Sequence, residues 1–97
     1  MRAIREASFW DFEWDENKAK INFAKHGITF DEAAVALAQP HLEKESDRHG
    51  EMRVLAICPL SQRIIAVIYT MRGEKCRIIS ARPARDYEQR KFRLVYS

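Results

Sequence analysis

Glycine, proline and cysteine are scarce in this 97-residue chain, which holds three glycines, three prolines and two cysteines. There is no glycine-rich phosphate loop and no Gly-x-Ser-x-Gly elbow, which argues against a nucleotide-binding protein or a serine hydrolase. Cys58 and Cys76 lie in separate apolar runs and form no CxxC pair. We therefore interpret them as small buried side chains rather than as a disulfide or zinc ligands.

Long hydrophobic runs are also missing. The densest apolar stretch, Ile64–Thr70, has the length of a strand and is much shorter than the roughly 18 residues of a membrane-spanning helix. The first residues are basic, but Trp10–Glu13 stand where a secretory signal would have its apolar core. We expect a single domain spanning residues 1–97, located in the cytoplasm and not associated with a membrane.

Charge is distributed unevenly along the chain. Residues 1–51 carry seven Lys or Arg against eleven Asp or Glu, whereas residues 52–97 carry ten against three. Eleven of the seventeen cations are arginine, whose planar guanidinium suits phosphate. The basic half indicates either a surface that faces a polyanion or a solvated basic face without a ligand, and charge alone does not distinguish the two.

The first third of the chain predicts a strand followed by two helices. Large aromatic residues alternate with polar ones over Phe9–Trp14, which is typical of a half-buried strand. Glu16–His26 is predicted as a helix that ends before Gly27. Thr29–Glu32 has the form of a capping box, which predicts the start of a second helix, and Pro40 ends it.

The remainder predicts a loop, three strands and a helix. Residues 41–50 are polar and are predicted to form a loop, whereas residues 52–58, 64–70 and 76–80 are rich in β-branched residues and separated by short turns. A last helix is predicted with Pro83 in its first turn. Its apolar face is predicted to hold four residues: Ala84, Tyr87, Leu94 and Val95.

The order β-α-α-β-β-β-α predicts an α+β domain. We expect a small, largely antiparallel four-stranded sheet with two N-terminal helices and one C-terminal helix, packed mainly on one face. The other face would stay open, and in an arginine-rich protein that face is where a phosphate ligand would bind.

Strand periodicity places candidate site residues together. Glu51 and Arg53 are two residues apart, so their side chains leave the same face of a strand. Arg77 lies on the third strand of the same meander, and Arg82 lies just past its end. A carboxylate among arginines fits a phosphodiester site, in which the arginines hold the scissile phosphate. The same residues also fit a cross-strand ion pair on a solvated sheet.

The histidines allow two interpretations. His26 at a helix C-terminus fits either a cap or a group that exchanges protons, with Lys25 beside it as a mobile cation. His41 and His49 are predicted to be solvated in the polar loop. The three histidines lack metal-ligand spacing, so no metal and no cofactor are predicted. The aromatic residues of the first strand fit either the core or a base-stacking role: Trp10, Phe12 and Trp14.

Several motifs in order resemble the BrnT family of bacterial toxins. They include Phe12–Asp15, Lys25–Gly27, Glu51-x-Arg53 and Arg77–Arg82, and the matches extend over residues 12–92. The resemblance implies a RelE-like fold and a ribonuclease that arrests translation. It also implies a BrnA-like antitoxin whose DNA-binding part represses the operon, so that contact with operator DNA is indirect. Residues 1–11 have no clear counterpart and form a poorly assigned N-terminal extension.

With this resemblance added, our hypothesis is transphosphorylation of RNA, in which the ribose 2′-OH attacks the adjacent phosphate and no metal is required. The implied catalytic residues are His26, Glu51, Arg53, Arg77 and Arg82, and the implied RNA-binding residues are Lys25 and Ser80. Glu51 or His26 would be the base, and His26 would be the acid if both reach the site. Phe92 stands where tyrosine is common, which excludes a catalytic tyrosine there. The alternative is a non-catalytic module that binds nucleic acid or a partner protein.

Overall fold

The computed structural model describes residues 1–6 and 11–96, which form six strands and three helices. The expected α+β class is confirmed. In chain order the elements are β1 (Arg2–Ile4), β2 (Asp11–Glu13), α1 (Glu16–His26), α2 (Phe30–Leu37), β3 (His41–Arg48), β4 (Glu51–Leu60), β5 (Arg63–Arg72), β6 (Lys75–Pro83) and α3 (Asp86–Val95).

All six strands belong to one sheet with the order β1-β3-β4-β5-β6-β2. The pairs are antiparallel except for β2, which runs parallel to β6. The expectation of four strands is therefore wrong, because β1 and β3 were not predicted. The first predicted strand, Phe9–Trp14, corresponds to β2, and its residues Phe9 and Trp10 lie outside the described part of the chain.

β3 occupies most of the segment predicted to be a loop. Its residues alternate in charge rather than in hydrophobicity, so the usual strand signal is missing. Seven residues of β3 pair with β4, from Leu42 opposite Ile57 to Arg48 opposite Glu51. The alternation sends acidic and basic side chains to opposite faces of the sheet. The acidic residues are Glu43, Glu45 and Asp47, and the basic ones are Lys44 and Arg48.

α1 and α2 begin and end where the sequence predicts. The Asp15 carboxylate accepts hydrogen bonds from the backbone N–H groups of Asn17 and Lys18, and Gly27 ends α1 in the left-handed conformation, with φ of 70°. Thr29 and Glu32 form the predicted capping box, in which each side chain accepts the other's backbone N–H at 3.0 and 2.9 Å. Both helix predictions are confirmed.

The larger core lies between these helices and one face of the sheet, which we call the α1/α2 face. Phe12 and Trp14 pack against this core, which favours the structural interpretation of these aromatic residues. Cys58 and Cys76 are free and buried in it, as predicted, and burial raises the pKa of the Cys76 thiol to about 12. The largest fully buried members are Ile28, Phe30, Leu37, Ile65, Val67 and Ile78.

Asn22 joins α1 to β6 beyond the three residues that β2 covers. Its side-chain nitrogen donates to the carbonyls of Ala81 at 2.9 Å and Ile28 at 3.1 Å, and its oxygen accepts the Ala81 N–H at 3.1 Å. The buried amide thus takes the place of a neighbouring strand at that position. It satisfies backbone groups that would otherwise be left without partners.

α3 packs on the opposite face, which we call the α3 face, and two expectations about it are wrong. Pro83 ends β6, and the helix begins at Asp86. Glu88 and Phe92 are its buried residues, whereas Tyr87, Leu94 and Val95 are exposed. The α3 face is therefore covered in part. The core beneath the helix comprises Leu42, Ile57, Ala66, Ala84 and Phe92.

His41 is fully buried, which corrects the expectation that it is solvated; His49 is exposed, as expected. The His41 ring contacts the Gln39 carbonyl through Nδ1 at 2.7 Å and Glu43 through Nε2 at 2.8 Å. Tyr69 donates a hydrogen bond of 2.6 Å to the same carboxylate. Burial raises the pKa of Glu43, but these hydrogen bonds outweigh it and leave the pKa below its ordinary value.

None of the helices in the described part of the chain is both long enough and apolar enough to span a membrane.

Candidate nucleic-acid interface

The half of the α3 face that α3 leaves uncovered concentrates positive charge. Strand register places Thr70 opposite Arg77 and Arg72 opposite Lys75. The alternation of side chains sends these residues away from the α1/α2 core, where Tyr69, Cys76 and Ile78 lie. We call this surface the basic patch and define it by five residues: Arg48, Arg53, Arg72, Lys75 and Arg77.

Arg53 and Arg77 flank a buried threonine in one row across three strands. The pairing of β4 with β5 ends at Val54 opposite Tyr69. Extending the same register by one residue towards the start of β4 places Arg53 opposite Thr70. Two strand spacings separate the arginine backbones by roughly 10 Å. The Thr70 hydroxyl donates to the Met52 carbonyl at 2.8 Å and adds no charge between them. The two guanidinium groups can therefore approach one phosphate from two sides.

Carboxylates lie among these cations. Glu51 contacts Arg53 at 3.4 Å and Arg72 at 3.9 Å, and its side chain is 37% exposed. Glu13 on β2 lies 2.6 Å from Nη1 of Arg77. Because these three ion pairs are partly exposed to solvent, each contributes little to stability and is open to exchange with a competing anion.

Glu13 was not among the residues selected from the sequence. The signal for it was present, because Glu13 alternates with Phe12 and Trp14, which pack in the α1/α2 core. Its side chain therefore leaves the opposite face, where parallel pairing aligns it with Arg77. Only the long-range contact between β2 and β6 shows that the two residues meet.

Lys25, His26 and Ser80 come together at a second place. They line a surface pocket of about 220 Å³ where the end of α1 meets the edge of β6. Ser80 lies opposite Ile68 and follows Arg77 by three residues along β6. The pocket is completed by Lys18, Ile21, Asn22 and Ile79.

The structure separates Glu51 from His26. Glu51 is on β4, two strand spacings from β6, and at the same height along the strands as Lys75. His26, by contrast, lines the same pocket as Ser80, nearer the other end of β6. From strand spacing and rise we estimate roughly 16 Å between the backbones of Glu51 and Ser80. A base and an acid that act on one phosphodiester need hydrogen-bond reach of it. The geometry therefore does not favour Glu51 and His26 as a cooperating pair.

Arg82 is engaged by Glu88. Its two terminal nitrogens lie 2.8 and 3.0 Å from the two carboxylate oxygens, and the Glu88 side chain is fully buried. Burial raises the pKa of Glu88, but the hydrogen bonds from Arg82 and the Arg85 backbone bring it below its ordinary value. Arg82 lies on the α3 face of β6, opposite Ala66 beneath α3. These contacts favour a role for Arg82 in anchoring α3.

In residues 1–6 and 11–96, no three His, Cys, Asp or Glu side chains form a group that could hold a metal ion.

Comparison with known protein families gives a match over most of the chain. Residues 14–88 match the family model of BrnT, the ribonuclease toxin of a type II toxin-antitoxin system. A search of curated proteins gives no match. The family match includes β4, β5 and β6, which carry most of the basic patch, and both helices of the α1/α2 face. The chain therefore belongs to the BrnT family of ribonuclease toxins of type II toxin-antitoxin systems.

Proposed function

We propose that this toxin is a metal-independent endoribonuclease whose active site is the basic patch. Membership of the family makes the chain a ribonuclease toxin at the family level. The observation that supports the location is the row of Arg53, Thr70 and Arg77 on a sheet face that α3 leaves open. A phosphodiester bound there would meet two guanidinium groups positioned for the charge that develops in the transition state.

RNA supplies its own nucleophile in the proposed reaction. The incoming phosphate displaces Glu13 from Arg77 and is held by Arg53 and Arg77. Glu51 takes the proton of the ribose 2′-OH, and that oxygen forms a bond to phosphorus while the bond to the 5′-oxygen breaks. The products are a 2′,3′-cyclic phosphate and a 5′-hydroxyl, and the departing oxygen takes its proton from water. DNA lacks the 2′-OH and is not cleaved.

The pocket at the edge of β6 extends the site along the RNA. Lys25 and Ser80 contact a neighbouring phosphate in this scheme, and His26 supports the same contact from the end of α1. The role of His26 as the acid is the alternative, and the two roles predict different kinetic parameters. Arg82 positions α3 beside the site through Glu88.

The partner of a type II toxin is an antitoxin protein, and the substrate of this family is RNA. We infer that the antitoxin is BrnA-like and carries a DNA-binding part, through which the complex reaches operator DNA. Free toxin would then inhibit translation in the cytoplasm, and bound toxin would not.

The direct test is incubation of the purified chain with a synthetic RNA in the presence of EDTA. New ends with cyclic phosphate are expected, and the DNA of the same sequence should stay intact. Arg53→Ala and Arg77→Ala should each lower kcat roughly 100-fold. Arg63→Ala is the matched control, because Arg63 is exposed at the start of β5, at the end of the sheet opposite the patch.

Three results would contradict the proposal: loss of cleavage in EDTA, cleavage of DNA, or full activity of Arg77→Ala. RNA binding that weakens with salt but yields no new ends would identify a non-catalytic nucleic-acid-binding module instead. No RNA binding at low salt would identify a module that binds a partner protein only.

A further inference from the structure

α3 exposes a stripe of side chains that its packing does not explain. Tyr87, Lys91, Leu94 and Val95 are spaced as one helix face, whereas the buried face holds Glu88 and Phe92. Tyr87 is 44% exposed, Leu94 85% and Val95 42%.

The stripe is directed towards the open half of the sheet. The other flank of α3 carries Arg93, which lines a pocket with Ser61 and Gln62 at the turn between β4 and β5. That turn lies at the end of the sheet opposite the basic patch, which is at the start of β4 and β6. Because Arg93 faces the turn, the flank with Tyr87 and Lys91 faces the patch.

One contact places the Tyr87 ring next to a cation, and its position in α3 places it beside a second. The ammonium of Lys91 lies 5.9 Å from the ring centroid. Tyr87 directly precedes Glu88, whose carboxylate binds Arg82, so the ring lies on the turn of α3 that Arg82 contacts. Arg77, Ser80 and Arg82 lie in sequence on the α3 face of β6, so this strand forms a polar track from the basic patch to Tyr87.

We propose that Tyr87 is a stacking platform for an unpaired RNA base that flanks the scissile phosphate, with Lys91 binding that nucleotide's phosphate. The inference rests on the proposed function, because it takes RNA as the occupant of the basic patch. An exposed aromatic ring beside a line of cations is the arrangement that binds single-stranded nucleic acid, since every base has a face that stacks. A duplex holds its bases in the helix and leaves none for the ring.

The test measures binding separately from cleavage. The probe is a short single-stranded RNA whose scissile 2′-OH is methylated, so that it binds without reacting, and its affinity is followed by fluorescence anisotropy. Tyr87→Phe should keep the affinity within about twofold, because stacking needs only the ring. Tyr87→Leu should weaken binding roughly 10-fold. Leu94→Ala, on the same stripe, should bind as the unmodified chain does.

A second measurement locates the stacked base. An abasic site is moved through the probe one nucleotide at a time, and at one position it should weaken binding to the unmodified chain as much as Tyr87→Leu does. At that position, Tyr87→Leu should cause no further loss, because the stacking partner is already missing. Circular dichroism checks that each variant is folded.

Several results would overturn the proposal. They are unchanged affinity of Tyr87→Leu, an equal loss with duplex RNA, or an effect of Tyr87→Leu on antitoxin binding alone. These outcomes differ from failure of the proposed function, which shows as no cleavage of RNA with a free 2′-OH. The methylated probe reports on Tyr87 in either case.

Discussion

Arg82 and Glu88 form an ion pair with two hydrogen bonds, at 2.8 and 3.0 Å, that ties the end of β6 to the first turn of α3. The same carboxylate accepts the Arg85 backbone N–H at 2.8 Å. Glu88 is fully buried, and Arg82 retains 20% of its side-chain exposure. The pair therefore determines where α3 begins and how it lies on the sheet.

Arg82→Ala should destabilise the fold, because it leaves the Glu88 carboxylate buried without its cation. We expect a loss of about 3 kcal/mol in the free energy of unfolding, measured by urea denaturation. Arg90→Ala, at an exposed position of α3, should change it by less than about 0.5 kcal/mol. A stable Arg82→Ala variant without cleavage activity would instead make Arg82 a phosphate ligand, as the sequence suggested.

Asn22→Leu should destabilise the fold as well. The substitution keeps the approximate size of the side chain but removes three hydrogen bonds, which leaves the carbonyls of Ile28 and Ala81 and the N–H of Ala81 without that partner. Unsatisfied buried groups cost about 1–3 kcal/mol each, so a decrease of at least about 2 kcal/mol in the free energy of unfolding is expected. Asn17→Leu, at an exposed position of α1, is the control, and equal stability of both variants would contradict the role of Asn22.

Acid should weaken the fold in part through Glu43. Its pKa is lower in the folded state than the ordinary value of 4.5, so its stabilisation is present above that value and is lost as the pH falls through the folded-state pKa. Glu43→Gln should therefore show a smaller decline in the free energy of unfolding between about pH 5 and pH 3. Glu74→Gln, in an exposed turn, should decline as the unmodified chain does.

His26→Gln separates the two roles considered for this residue. If His26 contacts a flanking phosphate, KM should rise severalfold while kcat changes by less than about twofold. If His26 is the acid, kcat should fall roughly 100-fold or more and the alkaline limb of the pH profile should change. The measurement is steady-state cleavage of one synthetic RNA, with His49→Gln as the control at an exposed turn.

The sequence predicts the elements that local rules determine. α1 and α2 carry their own start and stop signals, in Asp15, Gly27 and the Thr29–Glu32 capping box, and the structure confirms them. The central strands β4, β5 and β6 are identified by their apolar, β-branched residues and short turns. These features depend on residues close together in the chain, so hydrophobic periodicity and capping residues are sufficient to predict them.

Two strands and the face of α3 were not predictable in this way. β3 alternates acidic and basic residues, and a search for alternating hydrophobicity does not detect it. β1 is only three residues long and pairs with a strand almost forty residues later. In α3, Tyr87 and Leu94 resemble core residues but are exposed, whereas the charged Glu88 is buried beside Phe92 because Arg82 neutralises it.

The candidate site was predictable in composition but not in arrangement. Strand spacing correctly brings Glu51 and Arg53 into contact. The partner of Arg77 is Glu13, which arrives through a parallel pairing between segments more than sixty residues apart. The separation of His26 from Glu51 likewise depends on the order of strands, and strand order is a property of the whole fold.

β6 contains one residue more than the strand it pairs with: Tyr69 lies opposite Ile78 and Ile68 opposite Ser80, so Ile79 is a bulge. Arg77 and Arg82 are five positions apart, an odd number, and a regular strand would send them to opposite sides. The bulge reverses this parity. If β6 paired regularly through Ile79, either Arg82 would turn away from Glu88 or Arg77 would turn into the core. The single bulged residue therefore lets one strand both anchor a helix and hold a second arginine on the same open face.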